Sequence, residues 1–186
     1  MDLIDTHQHL ILRGHLGYAW TDAIPALQGD FTPADYARLT KGKGVIGTVF
    51  METGVDDADY QAEARLIAGL VGTGGMLGQI ASCRPEVEAG FDDWLAECRG
   101  LSVVGFRRLL HVVDDAMSQS AMFRQNIRKL GAAGYSFDMV FHARQLAIAE
   151  GLARACADQV LVLDHCGNPD VAGDGFDAWL SGLKRM

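Results

Sequence analysis

Apolar residues along this chain gather in six short runs, each followed by a longer segment in which they recur at three- and four-residue spacing. The runs Leu3–His9, Val45–Glu52, Met76–Ala81, Val103–Leu109, Ser136–His142 and Val160–His165 are predicted strands. The intervening segments read as amphipathic helices. Thr32-Pro33 supplies an N-cap and a first-turn proline, with Tyr36 and Leu39 on one face. Tyr60, Ala64, Ile67 and Val71 form a second stripe after an Asp-rich start that suits the positive end of a helix dipole. Phe91, Trp94 or Leu95, and Cys98 form a third. Phe123, Ile127 and Leu130 form a fourth, which Gly131 and Gly134 are expected to help terminate. Leu146, Ala149, Ala153 and Cys156 form a fifth, and Phe176, Trp179 and Leu183 begin a sixth.

This βαβα rhythm, without linker, low-complexity tract or repeat, predicts one α/β domain over residues 1–186. A closed (β/α)8 barrel usually needs about 250 residues, so six strand–helix units predict an incomplete TIM-type barrel. The rival is an open, doubly wound sheet, complete at this length. Its glycine-rich phosphate loop is missing, since Gly14 and Gly17 come too late after the first strand and lack the third glycine.

Composition narrows the partners. Of 186 residues, 49% are hydrophobic and 22% charged, which argues for a folded core. A net charge of −8 with no basic run speaks against nucleic acid or an anionic membrane surface as partner. No apolar stretch approaches the roughly 20 residues that span a bilayer, and the first ten residues do not make a signal peptide, so a cytoplasmic protein is expected. Cys83, Cys98, Cys156 and Cys166 form no C-x-x-C pair and read as buried free thiols.

Chemistry-bearing residues fall where predicted strands end. In DTHQHL, alternation in an extended strand puts Asp5, His7 and His9 on one face, and two imidazoles so placed can grip one ion. VLVLDHCGNP ends an apolar strand in Asp164-His165, where the histidine could be a further ligand, polarise a carbonyl or move a proton. VVGFRRLLH closes with Arg107 and Arg108, of which one can face inward to bind a carboxylate or lactone oxygen while the other pairs on the outer layer. Glu52 and His142 end further strands and are candidate substrate contacts, although a capping or ion-pair role is the stronger expectation for Glu52. His111 and His15 lie in loops that could edge a pocket. There is no G-x-S-x-G elbow, and Cys166 beside His165 is no catalytic dyad, so activated water is favoured over an acyl-enzyme.

Taken together, IDTHQHL, the Tyr18 and Trp20 pair, DFTPADY, GVIGTVFMET, VVGFRRLL, SFDMVF with Gln145-Leu146, and VLDHCGNP resemble the amidohydrolase-related (amidohydrolase 2) family of metal-dependent TIM-barrel hydrolases. Within it the chain is most similar to the branch of sugar lactonases and pyrone dicarboxylate lactonases. The resemblance implies His7, His9 and His165 as catalytic and metal-binding residues around one divalent ion, zinc or manganese. It implies an arginine of the Arg107-Arg108 pair on an anionic or lactone substrate. Some members of the branch work without an ion. The family's barrel continues for two more strands, the eighth bearing an aspartate that binds metal or activates water, and this chain is expected to be a fragment that stops short of it. The expected activity is opening of a lactone or related cyclic ester or amide by water. The alternatives are a metal-dependent decarboxylase on the same barrel, and an inactive fragment or small-molecule binding module. Assembly of copies of the chain is left open.

Overall fold

The computed structural model describes residues 1–186. Six strands alternate with six helices: β1 Leu3–Gln8, α1 Pro33–Thr40, β2 Val45–Met51, α2 Tyr60–Ala68, β3 Met76–Ser82, α3 Phe91–Cys98, β4 Val103–Leu109, α4 Ala121–Ala132, β5 Ser136–Val140, α5 Leu146–Ala155, β6 Leu161–Leu163 and α6 Phe176–Leu183. The strand order is β1-β2-β3-β4-β5-β6. A doubly wound sheet would reverse direction at a switch point and place a later strand beside β1. Sequential order is that of a (β/α)-barrel wall, six units of it. No helix is long and apolar enough to cross a membrane.

The residues gather into two compact units, Met1–Ser82 with Glu97–Val104, and Cys83–Ala96 with Gly105–Met186. In the first, α1 starts as its sequence demands. The Thr32 hydroxyl accepts from the Asp35 N–H at 3.3 Å and the Asp35 carboxylate accepts from the Thr32 N–H at 3.0 Å, closing a capping box ahead of Pro33. These hydrogen bonds from Thr32 hold the Asp35 carboxyl down at about 2. Leu10, Phe50, Ile67 and Met76 form one core cluster, joining β2 and β3 to α2. Ile11, Leu16, Tyr18 and Val55 form another. Buried Gln79 on β3 donates to the carbonyls of Ala64 and Leu101 at 2.9 and 2.7 Å, so a polar side chain fastens the helix layer to the strand.

The first unit also leaves Ile4, Ile46, Leu77 and Val104 between 50% and 61% exposed, one large apolar side chain from each of four strands. Two glycines make room for them. A Cβ on Gly47 would stand 2.9 Å from the Leu77 side chain, and one on Gly78 would stand 3.0 Å from Val104.

In the second unit β4, β5 and β6 pair in parallel without register shifts, Arg107 opposite Asp138 and Asp138 opposite Val162. Ser120 caps α4 by accepting from the Phe123 N–H at 3.2 Å. Phe123 then meets Phe137 of β5 edge-on, and Ile127 and Leu130 continue the buried stripe. Gly131 proves to lie inside α4 rather than ending it; the helix stops at Ala132 and Gly134 takes the left-handed position beyond, at φ +87°. Buried Asn126 on α4 donates to the Pro85 and Val87 carbonyls at 3.0 and 3.2 Å.

Candidate functional site

In the first unit His7 of β1 and His9, just beyond its end, share a face, as alternation requires, but Asp5 does not join them. Asp5 pairs with Thr48 and Gln8 with Phe50, so β1 carries one residue more than β2 between these points. The bulge puts Asp5 and Gln8 on the side of Phe50 and the helices, and His7 and His9 on the other. Asp5 accordingly accepts from the Tyr36 hydroxyl of α1 at 2.6 Å and from the His7 backbone N–H at 3.0 Å. Burial, with the Asp5 carboxylate second, raises the Tyr36 phenol to about 12, so the hydroxyl remains the donor.

The His7 and His9 rings stand edge to face with centroids 4.9 Å apart. The His9 Nδ1 lies 2.9 Å from the Met51 carbonyl, an acceptor that places the ring proton on Nδ1. Nε2 is then left with its lone pair, the form in which a histidine binds a metal while a carbonyl fixes the ring from behind. Glu52, the next residue, is buried and its carboxylate accepts from the Gly54 N–H at 2.9 Å. Buried Glu63, which periodicity had placed only as part of a helix, accepts from the Thr53 N–H at 3.0 Å and holds the same loop.

The second unit presents another group of polar residues at and beyond the ends of β4, β5 and β6. Arg107 is the inward arginine of the pair: it forms a buried ion pair with Asp164 at 3.3 Å, each side chain 4% exposed. Arg108 points the other way and pairs with Glu86. Asp138, opposite Arg107, is 5% exposed, and one of its oxygens has no hydrogen-bond partner. Two acids thus surround one guanidinium. Burial, then the Asp164 charge, pushes the Asp138 carboxyl up to about 7, against the pull of Arg107 and Ser136.

His165 stands beyond β6 on a backbone that the sequence did not forecast. His165, Cys166, Gly167 and Asn168 all have positive φ, at 53°, 53°, 73° and 46°, making a left-handed turn. Asn168 fastens it by donating to the Phe141 carbonyl at 2.9 Å, and the Trp179 indole donates to the Cys166 carbonyl at 2.7 Å. Gly167 is required twice over, since a Cβ there would also come within 2.8 Å of Leu146. Cys166 is exposed, unlike the other three thiols.

His142 follows β5 and is exposed, with its ring edge-on to His111, centroids 5.0 Å apart. Burial, then His142, lowers the His111 pKa, while the Val140 carbonyl opposes the shift. Gln145 ties the two loops. Fully buried, it accepts from the His142 N–H at 2.9 Å and donates to the Leu110 carbonyl and to Asp115. Candidate metal donors are therefore His7 with His9 in the first unit, and Asp164 with His165 in the second.

The family model described as Amidohydrolase matches residues 4–186. The L-fucono-1,5-lactonase of Burkholderia multivorans is 25% identical over 197 residues, spanning 98% of this chain and 63% of its own. An amidohydrolase crystal structure from the same species, with bound zinc, superposes with a TM-score of 0.85 at 22% identity, covering all of this chain and 66% of that one. A probable 2-pyrone-4,6-dicarboxylic acid hydrolase from Acinetobacter baumannii, with citric acid bound, superposes at 0.76 and 17% identity, covering 100% and 67%. The chain spans about two thirds of the length of these relatives.

Proposed function

Because the chain belongs to the amidohydrolase family, we propose that it is, or is part of, a hydrolase that opens a lactone or related cyclic ester by attack of water on the ring carbonyl. The observation that carries this reading is the His7–His9 pair, with one imidazole pinned through Nδ1 by a backbone carbonyl so that its other nitrogen faces away as a ligand. That donor set fits a divalent ion such as zinc or manganese, and His7, His9 and His165 would hold it, with Asp164 next to His165 in the chain. The ion would supply a Lewis acid for the carbonyl oxygen and lower the pKa of the attacking water. The zinc of the Burkholderia relative supports this choice of metal.

The chain's own residues would do the rest. The Asp164–Arg107 ion pair anchors the end of β6, from which His165 projects. His142, exposed beside the same loops, is placed to contact substrate. Glu52, held against the Gly54 N–H, shapes the loop after β2. Arg107 and Arg108, each bound to a carboxylate, orient the scaffold more than they clamp an anion. Three buried free thiols and one exposed suit a reducing, cytoplasmic setting.

The test is acid release from δ-lactones, followed with a pH indicator. His7→Ala and His165→Ala are each expected to lower kcat/KM by about a hundredfold or more. Near-full activity in either variant ends the assignment.

A further inference from the structure

Of the three tryptophans, Trp94 is buried while Trp20 is 50% exposed. A single apolar side chain in solvent is ordinary on a protein surface. The firmness with which this one is held is not. Its indole N–H donates to the Thr53 carbonyl at 3.2 Å. The short helical turn that carries it, Ala19–Thr21, is also fastened to the loop after β2 through its backbone. The Ala19 N–H donates to the Asp56 carboxylate at 2.9 Å, the Gly17 N–H donates to Asp59 at 2.8 Å, and the Asp56 N–H donates back to the Gly17 carbonyl at 2.9 Å. Gly17 permits this approach, since a Cβ there would collide with the Asp56 carboxylate. The indole has thus lost its freedom in advance and keeps an apolar face for something else to cover.

Its position relates it to the histidine pair. The Thr53 carbonyl that holds Trp20 is two residues from the Met51 carbonyl that holds His9. Two residues of backbone span no more than about 7 Å. Both rings therefore hang from neighbouring points at and just beyond the end of β2, within the first unit. That stretch is itself clamped, because Glu63 accepts from the Thr53 N–H at 3.0 Å and Glu52 from the Gly54 N–H at 2.9 Å. An indole face carries negative π density, which opposes a carboxylate and attracts the C–H groups that an adjoining ester carbonyl polarises.

We propose that Trp20 is a substrate-binding residue, its exposed face the platform on which the lactone ring lies while the ring carbonyl turns to His7 and His9. Such a platform rewards a flat apolar face, so it favours a lactone fused to an aromatic ring over a bare one. This inference rests on the lactone reading above and adds a substrate contact to it.

The test uses the full chain with two substrates, δ-valerolactone and dihydrocoumarin, the latter a six-membered lactone fused to a benzene ring. The binding probe is δ-valerolactam, the amide analogue that resists hydrolysis. Wild type is expected to show the lower KM for dihydrocoumarin. Trp20→Ala is expected to raise that KM about five- to tenfold with kcat little changed, the size of one lost aromatic contact. Trp20→Phe keeps a ring without the anchoring N–H and should recover part of the loss. Circular dichroism and Tm verify that both variants fold. Lactam binding is read by tryptophan emission, which should move to shorter wavelength in wild type but not in Trp20→Phe, where Trp94 and Trp179 remain. A KM for dihydrocoumarin that is unchanged in Trp20→Ala, a wild type with the lower KM for δ-valerolactone, or an emission shift that survives Trp20→Phe overturns the proposal. The readouts separate the two failures: an emission shift through Trp20 without hydrolysis sinks the catalytic reading alone, and neither shift nor hydrolysis sinks both.

Discussion

Asp138 shows how much a single residue's surroundings can change its behaviour. Its carboxyl, raised to about 7 by burial and by Asp164, is protonated in the folded chain at pH values where the unfolded chain has released its proton. The folded state binds more protons than the unfolded one between about 4 and about 7, so stability falls as pH rises through that window. Asp138→Asn removes this dependence. Urea denaturation should find variant and wild type alike near pH 4 and the variant more stable at pH 8, by up to about 4 kcal/mol if each pH unit is worth about 1.4. A wild type that gains stability relative to the variant as pH rises would contradict the direction given for Asp138. Periodicity alone left open which side of β5 Asp138 shares with His142. The answer required knowing that Phe137 packs on Phe123 of α4.

At the level of elements, the sequence was most legible where a short-range rule acts alone. Alternating or continuous apolar runs marked all six strands, and the Thr32-Pro33 pair marked the start of α1 to the residue. Thr32→Ala should lower stability by about 1 kcal/mol, measured by urea midpoint, because the Asp35 N–H loses its partner. Legibility failed where a tertiary contact overrides local pattern. The bulge in β1 depends on register with β2 and removes Asp5 from the histidine face. The apparent stop at Gly131 is overridden as α4 continues one residue further. The left-handed turn after β6 was invisible because a run of positive φ through His165 and Cys166 is uncommon for residues other than glycine, and only Gly167 and Asn168 hinted at it. Of the candidate site, the histidines were readable as strand-end polar residues. Gln145 and Glu63, whose roles are to satisfy buried backbone groups, were not.

The chain spans about two thirds of its relatives' length and gathers into two compact units, and a shared ligand is the natural probe of whether histidines from both act together. If His7, His9 and His165 bind one zinc ion, saturating zinc stabilises the folded chain by mass action. At a hundred times Kd this is about 2.7 kcal/mol, or roughly 5–10 °C in Tm for a chain of this size. Thermal denaturation with and without zinc measures it, and chelator should reverse it. His7→Ala and His165→Ala should each abolish the rise. A rise that survives His165→Ala would confine the ion to the first unit.

The turn that carries His165 also identifies a place where this protein can be made sturdier. Cys166 sits at φ 53° with its thiol exposed, a conformation that glycine adopts without steric penalty. Replacing it with glycine should raise the unfolding free energy by about 0.5–1 kcal/mol after the added freedom of the unfolded chain is subtracted. The same change would leave oxidants in a storage buffer no surface sulfur of cysteine to attack, lengthening shelf life without touching the imidazole beside it.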